Sequence, residues 1–185
     1  MTARALHPRL AEIDGYLEES RAVLLAAVAS IPEGRRDERP REGAWTAAEV
    51  IDHLALVEGS VARLLERRAE RARAEGLGPD GETSSVLGCL DDRRVDRTEP
   101  RIEAPELVRP RPGVAADSAL AALEESRRGL RSAIERVDGL DLGALRARHP
   151  ALGELDLYQW LVMVGQHERR HALQLESLRA SLSTR

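Results

Sequence analysis

Apolar residues in four separate stretches of the chain recur at spacings of three, four and seven, the period of an α-helix with one buried face. Leu10, Ile13, Leu17, Leu24 and Val28 make the first stripe. Pro8 suits its first turn, and Ile31-Pro32 followed by Gly34 ends it. The second opens at Thr46-Ala-Ala-Glu49, a capping box in which hydroxyl and carboxylate satisfy exposed backbone N–H groups. Its stripe, Val50, Leu54, Val57, Val61 and Leu64, runs on to about Gly76. The third spans roughly Ala116 to Val137 through Leu120, Leu123, Leu130 and Ile134, with Gly129 inside it at a cost of about 1 kcal/mol relative to Ala. The fourth begins at Asp156, with Gln159 as a second capping pair, and carries Leu157, Leu161, Val164, Leu175 and Leu178.

What these stripes can pack into is narrowed by what the chain lacks. Aromatics make up 2% and Phe is absent, so the core is built from Leu, Val, Ala and Ile. Such residues serve helix-on-helix packing better than a β-sandwich, whose strands favour aromatic and β-branched side chains. The 185 residues are enough for one core. About forty residues holding Pro79, Pro100, Pro105, Pro110 and Pro112 separate the second stripe from the third, with room for a short helix or turn around Ser84–Leu90. The other two connections are much shorter. The expected fold is all-α: one four-helix bundle over residues 1–185, with a long crossover between helices two and three.

Charge removes several function classes. The formal net charge is −4, without the basic face that a nucleic-acid binder carries. All 28 basic residues are Arg, and Lys and Asn are both missing, which reads as the composition of a GC-rich genome. The densest basic stretch, Arg63 to Arg73, is interleaved with Glu66 and Glu70 and followed by Glu75, as on a solvated helix face. Cys89 is alone, so neither a disulfide framework nor a CxxC site exists, and it reads as an incidental loop thiol. No apolar run reaches membrane-spanning length and no signal-peptide core follows the first arginines, so the expected location is the cytoplasm. No heptad seam demands self-association, although the stripes leave room for a homodimer.

The chemistry lies in the histidines. His167 and His171 stand four apart on the fourth helix, one turn apart on one face, where two imidazoles can converge on one ion. They continue a stripe of Trp160, Val164, Gln174 and Leu178, and His53 lies at the margin of the second helix's apolar face beside Glu49, Val50 and Val57. Three core-facing imidazoles without partners are costly to bury, and a shared metal removes the cost. His149 reads as structural and His7 as a neighbour of the first helix cap.

The stretch Trp45-Thr-Ala-Ala-Glu49…His53-Leu54…Glu58 resembles the helix-two element of the DinB-like (YfiT-like) superfamily. The stretch His149-Pro-Ala-Leu-Gly153-Glu-Leu…Trp160-Leu161…His167-Glu-Arg-Arg-His171-Ala-Leu-Gln174 resembles that family's C-terminal element, and Arg97…Ala104-Pro105 resembles its crossover. The resemblance implies a four-helix bundle with His53, His167 and His171 as metal ligands. It also implies kinship with enzymes that use low-molecular-weight thiols, such as bacillithiol S-transferases and mycothiol-dependent maleylpyruvate isomerases.

Three neutral imidazoles leave coordination positions open on a divalent ion, Zn²⁺ or Ni²⁺ ahead of Mn²⁺ or Fe²⁺. A bound thiol becomes a thiolate, ready to attack an electrophile such as an epoxide, halide or activated double bond. Bound water instead becomes a hydroxide source, so a hydrolase is the alternative, and a non-catalytic metal-binding stress protein is the third. Glu49, one turn before His53, is a candidate base or orienting group as well as a cap. Gln174, one turn past His171, is a candidate for bonding a ligand or a substrate. Tyr158 and Trp160 are candidates to wall the pocket, with Trp160 more a core residue. Glu168 and Arg170 fall off the stripe and are expected in surface ion pairs; Arg97 and Arg101 are solvated loop arginines or contacts for a thiol's carboxylates.

Overall fold

A computed structural model describes residues 5–93, 95–96 and 103–183. Four long helices carry the fold: α1 (Pro8–Ala29), α2 (Ala47–Ala74), α3 (Ala116–Val137) and α4 (Leu157–Ser183). The chain is a four-helix bundle, as the periodicity predicts. Pro8 stands in the first turn of α1, and Thr46 and Glu49 form a reciprocal capping box at the start of α2. A second reciprocal pair, Asp156 with Gln159, starts α4: each backbone N–H donates to the other's side chain, at 3.0 and 2.9 Å. Among the described residues no helix is long and apolar enough to cross a membrane.

The helices pair most extensively as α2 with α3 and α1 with α4, and α2 also meets α4. Lateral contacts give the directions. Tyr16 lies against Gly165 and Arg21 meets Glu168, so α1 and α4 run parallel. Glu58 meets Arg127 and Glu66 meets Arg136, so α2 and α3 run parallel as well. Parallel neighbours cannot be joined by a tight turn, because the chain must travel back the length of the helix it has just left. At 1.5 Å per residue the 28-residue α2 is about 42 Å long, which explains the length of the crossover. That crossover contains 3-10 helices at Leu87–Arg93 and Glu106–Val108, the first overlapping the segment where a short helix or turn is expected. Arg97 and Arg101 lie outside the described residues.

One element is absent from the sequence reading. Between α3 and α4 the chain makes an antiparallel hairpin of β1 (Arg146–His149) and β2 (Gly153–Asp156), with Ala147 opposite Leu155. The two strands have four residues each and no β-branched side chain, so they carry no propensity signal. Tertiary contacts hold them instead: Ala147 and Leu155 are buried, and the Trp160 indole N–H donates to the Ala147 carbonyl at 3.2 Å.

The hydrophobic core is split in two. One cluster gathers Leu10–Leu17 of α1, Val61–Ala69 of α2, Leu130–Val137 of α3 and Leu157–Val164 of α4. The other gathers Leu24–Val28, Ala47–Ala55, Ala119–Leu123 and Ala172–Leu182 of the same helices in order. Between them lies a charged layer with one residue from each helix. The Arg21 guanidinium donates to Glu168 at 2.7 Å and to Glu58 at 2.8 Å. Arg127 donates to Glu58 at 2.6 Å and to both oxygens of Glu168 at 3.0 and 3.1 Å. Arg21 also reaches the Leu123 carbonyl at 3.0 Å, and the Ser126 hydroxyl donates to Glu58. All four ion-pair residues are buried, so Glu168 is not in the surface pair expected from its position off the stripe. Arg170 is half-buried. Close helix contact accompanies this layer: a Cβ on Gly165 of α4 would lie 2.5 Å from the Tyr16 ring of α1, so any other residue there requires that ring to move.

Removing one partner from such a network strands a charge in the core. Glu168→Ala should lower stability by roughly 3–5 kcal/mol in urea unfolding, whereas Glu75→Ala at the exposed end of α2 should stay within about 0.5 kcal/mol.

Candidate metal centre

The capping box places His53 two turns into α2, and the antiparallel approach of α4 sets His167 and His171 against it. One ring nitrogen from each of the three lies within 4.8 Å of the others. His53 Nε2 is 3.4 Å from His167 Nε2, which is 3.0 Å from His171 Nε2. Nitrogens bound at 2.0–2.1 Å to a tetrahedral ion sit about 3.3 Å apart, so these separations fit one shared ion. The rings meet edge to face, with centroids 4.5–5.1 Å apart. His53 and His171 are buried and His167 is half-buried.

Hydrogen bonds behind the rings decide which nitrogens carry lone pairs. His53 Nδ1 lies 2.6 Å from the Val108 carbonyl, which can only accept, so Nδ1 holds the proton and Nε2 is free. His171 Nδ1 lies 2.7 Å from Gln174 Oε1, which fixes the same tautomer. Two lone pairs therefore converge on one space, and the single Nε2 proton that His167 could supply satisfies only one of them. A Lewis acid satisfies all three, and the donor set fits one.

Electrostatics keep the rings neutral in the metal-free chain. Burial pushes His167 well below the ordinary imidazole value, and repulsion from His171 and His53 adds to it. Burial, with His53 as the next cause, takes His171 down to about 3. His53 is also lowered by burial, against the pull of the Val108 carbonyl and Asp52.

The remaining candidates are sorted by their partners. Gln174 is brought to the triad through His171. Glu49 is buried, but one oxygen accepts the Thr46 N–H at 2.9 Å and the other an Arg39 N–H at 2.7 Å, so both serve the start of α2. Trp45 rather than Trp160 stands beside the ligands, its ring centroid 5.0 Å from that of His53. Trp160 packs on His149 of the hairpin, and the Tyr158 hydroxyl donates to Asp80 at 2.6 Å. His149 is structural: its Nδ1 accepts from Ala151 and Leu152, each at 3.1 Å. His7 caps α1, and its backbone N–H donates to Asp138 at 2.7 Å. Cys89 is half-buried and its thiol is pushed up to about 11, first by burial, which holds it in the protonated form near neutral pH. A surface groove of about 390 Å³ lies between Tyr16, Asp91, Gln166 and Arg169, and none of the three histidines lines it. Sequence reasoning missed Val108, which has no local signal: its role comes from a backbone carbonyl delivered across 55 residues.

Known proteins agree with this architecture. The family model for the DinB superfamily matches residues 16–175. The uncharacterized protein YuaE of Bacillus subtilis (strain 168) is 24% identical over 153 residues, 82% of this chain and 88% of its own. The crystal structure of TT2238, a four-helix bundle protein, superposes with a TM-score of 0.61 at 25% identity, covering 91% of this chain and 98% of its own.

Depressed imidazole pKa values set a pH dependence. The unfolded chain protonates these rings near 6.5 and the folded metal-free chain only at lower pH, so the unfolded state gains protons first on acidification. Chelator-treated protein should hold its stability above about pH 6.5 and lose it progressively below that value, on the way to the folded-state value. A His53→Ala/His167→Ala/His171→Ala variant should show a flatter thermal-melt profile between about pH 6.5 and 5.

Proposed function

We propose that this chain, which belongs to the DinB superfamily, is a metal-dependent enzyme that holds a small thiol at His53, His167 and His171 for transfer to an electrophile. The observation that carries the reading is the convergence of three neutral imidazoles, two with their tautomers set from behind by Val108 and Gln174. When bound there, a divalent ion (Zn²⁺ or Ni²⁺ ahead of Mn²⁺ or Fe²⁺) would draw a thiol to it as thiolate, the form that attacks carbon.

The protein's part is charge and orientation. Among the described residues no carboxylate or thiolate shares the three-histidine cluster, so its ligands bring no negative charge and would leave a dication to attract an anionic sulfur. Nearby charges are already matched: Asp52 with Arg111, Glu49 with Arg39, and the two glutamates of the core layer with their two arginines. Val108 and Gln174 hold the rings in place, so the nitrogens need not reorganise when the thiol arrives. The thiol proton would pass to solvent when the thiolate forms, and the C–S bond made afterwards would be balanced by loss of the electrophile's leaving group or by ring opening with uptake of a proton from solvent. Engagement of both Glu49 oxygens favours this over hydrolysis, which calls for a free base to relay a water proton.

Elemental analysis of untagged protein tests the site first. Wild type should carry one divalent ion per chain, and His53→Ala and His171→Ala should each lose most of it; full retention in both variants sinks the triad. A panel of low-molecular-weight thiols with a chromogenic electrophile then tests the chemistry. Conjugation above the uncatalysed rate, abolished by chelation, is expected, whereas ester turnover that needs no thiol would replace this reading with a hydrolase.

A further inference from the structure

Behind His53 the crossover is pinned at two points three residues apart. The first is the Val108 carbonyl on His53 Nδ1 at 2.6 Å. The second is Arg111, whose backbone N–H donates to Asp52 Oδ2 at 2.8 Å and whose guanidinium donates to Oδ1 at 2.6 Å through Nη2 and at 3.2 Å through Nε. Asp52 is the residue before His53, and its side chain is 1% exposed while that of Arg111 is 62% exposed. A buried carboxylate needs such partners, and here every one of them that the crossover supplies comes from Arg111.

The chain between and beyond the two pins is stiff. Pro110 and Pro112 flank Arg111 and fix φ on both sides of it. Gly113 takes φ +71°, and the Val114 N–H returns to the Arg111 carbonyl at 3.3 Å, a turn with proline and glycine at its two central positions. On the other side the one-turn Glu106–Val108 helix closes through the Arg109 N–H on the Glu106 carbonyl at 3.2 Å. A short segment of this kind transmits a displacement at Arg111 to the Val108 carbonyl.

We propose that Asp52 and Arg111 are positioning residues for the metal centre: their ion pair anchors the crossover so that the Val108 carbonyl holds His53 as its Nδ1–H tautomer. This rests on the proposed function only for its metal arm; the tautomer arm concerns the chain alone. Residues of this kind behind a ligand set its basicity and aim, and their loss typically weakens metal affinity roughly 10- to 100-fold.

The test uses the full-length chain, as wild type, Asp52→Ala and Arg111→Ala. Asp52→Asn stands in for Asp52→Ala if the latter fails to give a cooperative melt. Long-range ¹H–¹⁵N correlation spectra of the metal-free proteins report which His53 nitrogen carries the proton, and competition against a chromogenic zinc chelator reports affinity. Wild type should show a protonated Nδ1 and an unprotonated Nε2. In the variants the two His53 shifts should move toward their average, and zinc affinity should fall about 10-fold or more. A wild-type nitrogen pattern in both Arg111→Ala and the folded Asp52 variant overturns the proposal. A shift in the melting midpoint alone does not count for it. If the wild type takes up no zinc, the proposed function fails, and the imidazole spectra still decide whether Asp52 and Arg111 hold His53.

Discussion

Two arginines and two glutamates, one from each helix, meet in the middle of this bundle and divide its apolar core into two clusters. Apolar stripes of Leu, Val and Ala slide past one another at little cost, since any neighbour of similar size fills the same groove. A guanidinium cannot slide, because a shift of one turn would leave it and its carboxylate buried without partners. The charged layer therefore sets the axial register of all four helices. Its net contribution to stability is small beside the cost of breaking it, so its main effect is to specify one packing among several.

That register also places the metal centre. Glu168 follows His167 on α4, and Glu58 lies five residues beyond His53 on α2. Because α2 and α4 run in opposite directions, bringing the two glutamates to one level leaves His53, five residues before Glu58, on the same side of the layer as His171, three residues after Glu168, with His167 one turn from His171. The imidazoles are then held from behind by groups that are not ligands, Val108 and Gln174. Burial keeps all three rings neutral and ready to donate lone pairs. Each layer of the structure thus hands a geometric constraint to the next, from helix register to ring orientation to the direction of a lone pair.

The crossover belongs to the same scheme. Because α2 and α3 lie parallel, the connecting chain must run back along the bundle, and in doing so it passes behind His53. A bundle with only short antiparallel turns would have no such segment to offer. The length that looks excessive in the sequence is a consequence of helix direction, and the structure uses it to supply a carbonyl to a buried ring.

Much of the fold was legible in the chain because helices announce themselves locally. The period of the stripes, Pro8 at the start of α1, and the capping pairs Thr46–Glu49 and Asp156–Gln159 are all contained within a few turns of sequence. So are His167 and His171, whose convergence follows from 3.6 residues per turn. The hairpin before α4 was not legible, because its strands have no propensity of their own and exist through Trp160 and the core. Glu168 is buried although its position off the stripe points to the surface, because no local pattern reveals that Arg21 and Arg127 approach it from other helices. Val108 and Arg111 were silent for the same reason. The sequence by itself determined four amphipathic helices, their ends and a set of residues able to bind metal. Tertiary structure alone decided helix direction, register and the partners behind each ring, because those depend on contacts between residues far apart in the chain.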